Sequence, residues 1–252
     1  MSLVLSTVIA TPLLKVPLLV GHAACTYHGM TPPPVPPLPK ERRIRAPDFL
    51  SWKPHVQKAF AATDKTILCG LAIAEAVTLL AQRAAPTSLL HRTVDALLSA
   101  ANIRLETLSL RLTSVSAVAC FLAISGGLIR WWCHRTLGHH FTWEVGTRDG
   151  HQLVTSGPYR IMRHPSYTGM FLQVSGNFML LLSDGSFFAE SGLRGTWVGK
   201  LVATAVMTHL TWVCTGMLYR TKTEDEMLKG EFRERWDAWS KKTPYRVIPF
   251  VY

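Results

Sequence analysis

Hydrophobic positions gather into long runs along this chain instead of alternating with polar ones. Residues 112–129, LTSVSAVACFLAISGGLI, hold no charge, and neither do residues 166–183, SYTGMFLQVSGNFMLLLS. The run at 201–219 is interrupted only by His209. Each matches the ~20 residues that a helix needs to cross a hydrocarbon core of about 30 Å. Two further runs are flawed: 66–82 contains Glu75, and 3–27 contains Pro12, Lys15 and Pro17. A charge inside a span is tolerated where it meets a partner or faces a cavity. The pattern predicts an all-α polytopic membrane protein with about five transmembrane helices. No Lys or Arg precedes Lys15, so the first run reads as a retained span rather than a signal peptide with a basic start.

Near the C-terminus the pattern changes. Met227, Leu228, Phe232, Trp236 and Trp239 recur at helical spacing over 223–241, with acidic residues early and basic ones late. This predicts a cytoplasmic C-terminal amphipathic helix whose stripe serves packing or membrane contact. The tract TPPPVPPLPKERR at 31–43 reads as a stiff polyproline-like linker. The chain divides on this reading into N-terminal spans, 1–138, and a region 139–252 that includes the last helical hairpin.

Composition sharpens the membrane assignment. Charged residues are 17% of the chain and hydrophobic ones 48%, whereas soluble domains carry about 25% charged residues. Lys and Arg number 27 against 16 Asp and Glu, a net charge of +11. Seven of the basic residues fall in 31–65, four in 133–165 and eight in 220–252. The positive-inside rule assigns those three segments to the cytoplasmic side. The charge is therefore an orientation signal. It forms no single basic stripe with interleaved aromatics, which argues against a nucleic-acid partner. Cys25, Cys69, Cys120, Cys133 and Cys214 stand apart, without the spacing of a metal site or a disulfide framework.

This orientation brings 133–165 and 220–252 to one membrane face, and both are rich in chemistry-bearing groups. The stretch EVGTRDGHQLVTSGPYRIMRHPSYTG at 144–169 contains His151, Tyr159, Arg160, Arg163, His164 and Tyr167. Pro165 suits the first turn of the following span, where unpaired backbone N–H groups can face an anion. Arg220 and Glu224 stand at the end of the next span.

The blocks HQLVTSGPYRIMRHPSYTGMF and YRTKTEDEMLKGEFRERWDAWSKKTPYRVIPF resemble the signature of the isoprenylcysteine carboxyl methyltransferase family, over roughly 139–250. That resemblance implies S-adenosylmethionine (S-adenosyl-L-methionine) as methyl donor and the free carboxylate of a C-terminal prenylated cysteine as acceptor, at the endoplasmic reticulum membrane. It implies that Arg220 orients the substrate carboxylate. His151, Gln152, Leu153 and Val154 would line the adenine and ribose end of the cofactor. Tyr159, His164 and Tyr167 would contact its methionine part, Glu224 its ammonium or ribose hydroxyls, and Glu144 would add a polar contact. The prenyl chain would enter from the lipid bilayer. One departure is Phe232-Arg233-Glu234-Arg235-Trp236, where the family commonly has Gly followed by an acidic residue and Tyr.

Two other readings stand beside this one. The first is a phospholipid N-methyltransferase, which shares the R-H-P-x-Y-x-G style but needs no carboxylate-holding Arg, or a methyltransferase for another lipophilic small substrate. A non-catalytic membrane scaffold would keep the fold without the chemistry.

Overall fold

The computed structural model describes residues 12–31, 42–44, 54–141, 145–148, 150–249 and 251. Glu144 and most of the proline-rich tract lie outside the described residues. Helices dominate: α1 (Lys15–Gly29), α2 (Pro54–Arg83), α3 (Leu89–Ala100), α4 (Ser114–Leu137), α5 (Pro165–Leu182), α6 (Phe187–Glu190), α7 (Trp197–Phe232) and α8 (Glu234–Lys242). One short antiparallel ladder adds to the all-α expectation. It pairs β1 (Arg42–Ile44) with β2 (Gly146–Arg148), Arg42 opposite Arg148 and Ile44 opposite Gly146.

Two helices among the described residues are long and apolar enough to cross a membrane by length and composition. They are Ser114–His140, which is α4 with its terminal turn, and α7. The run at 66–82 lies within the 30-residue α2, and the run at 166–183 corresponds to α5. Of the run at 3–27, the described part forms α1 after a short turn at Pro12–Leu14.

The chain folds as two compact units, each drawn from three stretches. The first comprises Met1–Tyr27, Asp64–Ile124 and Gln173–Met207. Its apolar core includes Leu19, Ala72, Leu79, Leu98, Leu105 and Leu180. The two charges that flawed the predicted spans meet here. Lys15 is fully buried, forms an ion pair with Glu75, and donates to the carbonyls of Arg111 and Gly185, each at 2.9 Å. Glu75 also accepts from the Phe187 amide at 2.9 Å. A buried charge needs such saturation, because desolvating it unpaired costs several kcal/mol. On α5, Gln173 donates to the Cys25 carbonyl at 2.7 Å and Asn177 to the Thr26 hydroxyl at 3.1 Å. A Cβ at Gly176 would lie 2.5 Å from the Ala119 carbonyl oxygen, so glycine is what permits α5 to approach α4 there.

The second unit comprises His28–Thr63, Ser125–Leu172 and Thr208–Tyr252. Gly169 repeats the close approach, its absent Cβ lying 2.7 Å from the Gly126 carbonyl oxygen. Helix α5 begins at Pro165, whose ring fixes φ and whose missing N–H costs nothing in a first turn. Helix α7 runs unbroken to Phe232, so the helix expected over 223–241 is divided between the end of α7 and α8. The break falls at Arg233, with φ 48° and ψ −119°, a backbone region that suits glycine. The predicted stripe is packing: Trp236 and Trp239 are buried beside Tyr159 and Cys133, with Leu228 and Phe232 against them.

Candidate active site

The stretch from Tyr159 to Thr168 is fixed by the C-terminal segment. The Arg163 amide donates to the Tyr245 carbonyl at 2.9 Å, and the His164 amide to the Arg246 carbonyl at 2.8 Å. Thr168 Oγ1 donates to the Val247 carbonyl at 2.5 Å, and Trp239 Nε1 to the Tyr159 carbonyl at 3.2 Å. These bonds set the positions of side chains at the start of α5 against α7.

His164 lies between two carboxylates contributed by consecutive residues of α7. Its Nδ1 is 3.2 Å from Glu224 Oε2, and its Nε2 is 3.0 Å from Asp225 Oδ1. Carboxylates only accept, so both ring nitrogens must donate and the ring is an imidazolium. Burial disfavours that charge, but the bonds to Asp225 and Glu224 outweigh it and raise the His164 pKa. Glu224 has further partners: Tyr167 Oη donates to its Oε1 at 2.7 Å, and Arg220 Nε to the same oxygen at 2.8 Å. Burial pushes Glu224 up, yet Arg220 and His164 prevail and hold it down at about 2. Glu224 is five residues past the apolar run 201–219. The Tyr167 ring stacks on His164, centroids 5.6 Å apart and 11° from parallel. Burial keeps the Tyr159 phenol neutral, well above its usual pKa.

These groups line one cavity of about 200 Å³. His151, Gln152, Leu153, Val154, Tyr159, His164, Tyr167, Arg220 and Glu224 all border it, so nine of the ten residues singled out in the sequence share one site. The tenth, Glu144, lies outside the described residues, while its neighbour Val145 lines the cavity. Apolar wall comes from Met170, Leu210, Val213, Met217, Met227 and Leu228. Charged and hydrogen-bonding groups thus face a large apolar surface, an arrangement suited to a small polar ligand beside a greasy one.

Several contributors escaped the sequence reading. Arg130 is 4% exposed and lines the cavity. It donates from Nε to the Gly29 carbonyl at 2.6 Å and from Nη1 to Ser166 Oγ at 3.1 Å. An arginine abutting an apolar run was the available signal, since ionisable residues there face protein or cavity. Asp225 and Arg246 carried no such signal. Both lie in the second motif block, where neither was singled out, and only folding joins them, at 2.9 Å.

Residues 117–188 match the model of the isoprenylcysteine carboxyl methyltransferase family. The chain is 38% identical over 139 residues to a probable protein-S-isoprenylcysteine O-methyltransferase of Oryza sativa subsp. indica, covering 54% of this chain and 62% of that protein. It is 34% identical over 84 residues to the protein-S-isoprenylcysteine O-methyltransferase of Saccharomyces cerevisiae, covering 32% of this chain and 35% of that protein. A Delta(14)-sterol reductase of Methylotuvimicrobium alcaliphilum is 27% identical over 108 residues, covering 43% and 21% respectively. The matched part thus spans 62% of the length of the rice relative. The family that the motifs resemble is the family of this model, whose match at 117–188 includes the first motif block, 151–171, and not the second, 219–250.

Proposed function

We propose that this chain transfers a methyl group from S-adenosylmethionine to the C-terminal carboxylate of a prenylated cysteine. The observation that carries this reading is one cavity where Arg220, Glu224, His164 and Tyr167 face an apolar wall. Similarity to protein-S-isoprenylcysteine O-methyltransferases supports it.

The cavity's donor set fits the cofactor. When bound, S-adenosylmethionine supplies an electrophilic methyl group on sulfur. Glu224, His164 and Tyr167 would hold its amino-acid end, and Tyr159 would flank the methionine chain. His151, Gln152, Leu153 and Val154 would hold adenine and ribose, two of them apolar enough to cover a ring. Glu144 is proposed as a further polar contact on sequence grounds alone. The substrate carboxylate is ionised at neutral pH, so the chain need not supply a general base. Arg220 has the planar, permanently charged fork that holds a carboxylate in one orientation, and orientation is the main requirement for this transfer. Leu210, Val213 and Met217 would receive the prenyl chain, methionine adapting to irregular apolar shapes.

A membrane setting follows from the same reading. On the two long apolar helices Phe121, Leu128 and Leu201 are more than half exposed, which suits lipid better than water. We assign five spans, a cytosol-facing site, the endoplasmic reticulum membrane and prenylated proteins as substrates. The deciding experiment incubates membranes containing the full chain with methyl-labelled S-adenosylmethionine and N-acetyl-farnesylcysteine or phosphatidylethanolamine, and separately with a Δ14-sterol and a reduced nicotinamide cofactor as hydride donor. Base-labile label in the farnesylcysteine supports the proposal. Label confined to phospholipid, or no methyl transfer with reduction of the sterol, overturns it.

A further inference from the structure

Asp225 is 4% exposed, is not among the residues lining the cavity, and holds three cationic groups on its two oxygens. Its Oδ1 is 3.0 Å from His164 Nε2. Its Oδ2 accepts from Arg163 Nη1 at 2.7 Å and from Arg246 Nε at 2.9 Å. The two arginines belong to the pair of segments that the amide bonds from Arg163 and His164 to Tyr245 and Arg246 already join. Arg163 Nη2 also donates to the Pro244 carbonyl at 2.9 Å. One carboxylate therefore sits where the start of α5, the end of α7 and the C-terminal segment meet.

We propose that Asp225 is a positioning residue that fixes the His164 ring at the cavity wall and ties it to the C-terminal segment 243–247. It acts through His164, which lines the cavity as Asp225 does not. With Nε2 anchored on Asp225, the ring's remaining donor, Nδ1, is aimed at Glu224 Oε2, and its face is covered by Tyr167. Removing the Asp225 charge frees the ring to turn about its Cβ–Cγ bond. Glu224 then loses a donor and the site loses its alignment. The charged groups bearing on this ring are Glu224 and Asp225 directly, Arg220 through Glu224, and Arg163 and Arg246 through Asp225.

The kinetic part of this inference rests on the proposed methyl transfer; the titration part does not. The full chain in detergent, with histidine rings isotopically labelled, is titrated by NMR, and His164→Gln identifies the His164 signal. Asp225→Asn keeps the shape and one acceptor oxygen for His164 Nε2, but it removes the charge, and its amide NH2 cannot accept from Arg163 and Arg246 as Oδ2 does. The His164 midpoint is expected to fall by about one pH unit or more, a tenfold weaker proton affinity. Arg246→Gln leaves Asp225 less neutralised and is expected to move the midpoint upward. That second variant carries the test if Asp225→Asn does not fold. Midpoints unmoved in the folded variants overturn the proposal whether or not the chain methylates prenylcysteine. In the methylation assay, Asp225→Asn is expected to lower kcat about tenfold with little change in KM for farnesylcysteine, and Asp225→Glu to recover part of the loss. If the wild-type chain transfers no methyl while the two variants show their midpoint shifts, the functional reading is overturned and the role of Asp225 stands.

Discussion

Arg220 donates from Nε to Glu224 Oε1 at 2.8 Å, one helical turn further along α7. This bond holds the guanidinium at the cavity wall, and the side chain is only 9% exposed. Two residues four apart on one helix face can form such a pair without help from the fold, but its placement on the cavity needs α5 and the C-terminal segment.

If Arg220 orients the acceptor carboxylate, Arg220→Ala lowers kcat/KM for farnesylcysteine about 100-fold or more, and Arg220→Lys, which keeps charge but loses the fork, recovers little. Cys69→Ala, in the first unit, serves as control and stays within about twofold. Steady-state methylation kinetics check this. An Arg220→Ala enzyme with wild-type kcat/KM would remove Arg220 from the mechanism.

The cluster around His164 sets a pH window. The raised His164 pKa means its contribution to stability is complete below about 6.5, its ordinary value, and disappears as pH rises through the higher folded value. Glu224, lowered to about 2 from 4.5, contributes above 4.5, and that contribution is lost as pH falls through about 2. Thermal melts across pH are expected to show an alkaline decline that His164→Gln abolishes. An identical decline in both proteins would show that another group is responsible.

The ion pair of Lys15 with Glu75 predicts strong non-additivity. Lys15→Met or Glu75→Leu alone strands a buried charge and costs about 3–5 kcal/mol, whereas the double substitution is near neutral. Denaturation of the four proteins in detergent measures the coupling. Additive losses would mean that the two groups do not depend on each other.

Arg233 occupies a glycine-like conformation between α7 and α8. Arg233→Gly is expected to stabilise the folded chain by about 1 kcal/mol through relief of backbone strain. A melting temperature that falls on substitution would show that the arginine side chain contributes more than its backbone costs.

Much of this was legible in the sequence because it is local. Apolar runs without charge predict helices, Pro165 marks where α5 starts, and closely spaced His, Tyr, Arg and Glu residues mark the site. Arg233 shows a limit: the composition of 223–241 fits a continuous amphipathic helix, and only the observed φ reveals the break. Lys15 and Glu75 show another, since each alone reads as a flaw in a span until the fold makes them partners. Sequence alone marked the apolar runs that form α1, α2, α4, α5 and α7 and nine of the residues that line the cavity, though not Arg130, because hydrophobic period and motif spacing act over a few residues. Tertiary structure alone decided that Asp225 joins Arg163, His164 and Arg246. Those residues lie 61–62 positions before it and 21 after it, and no local pattern encodes a bond across such a separation.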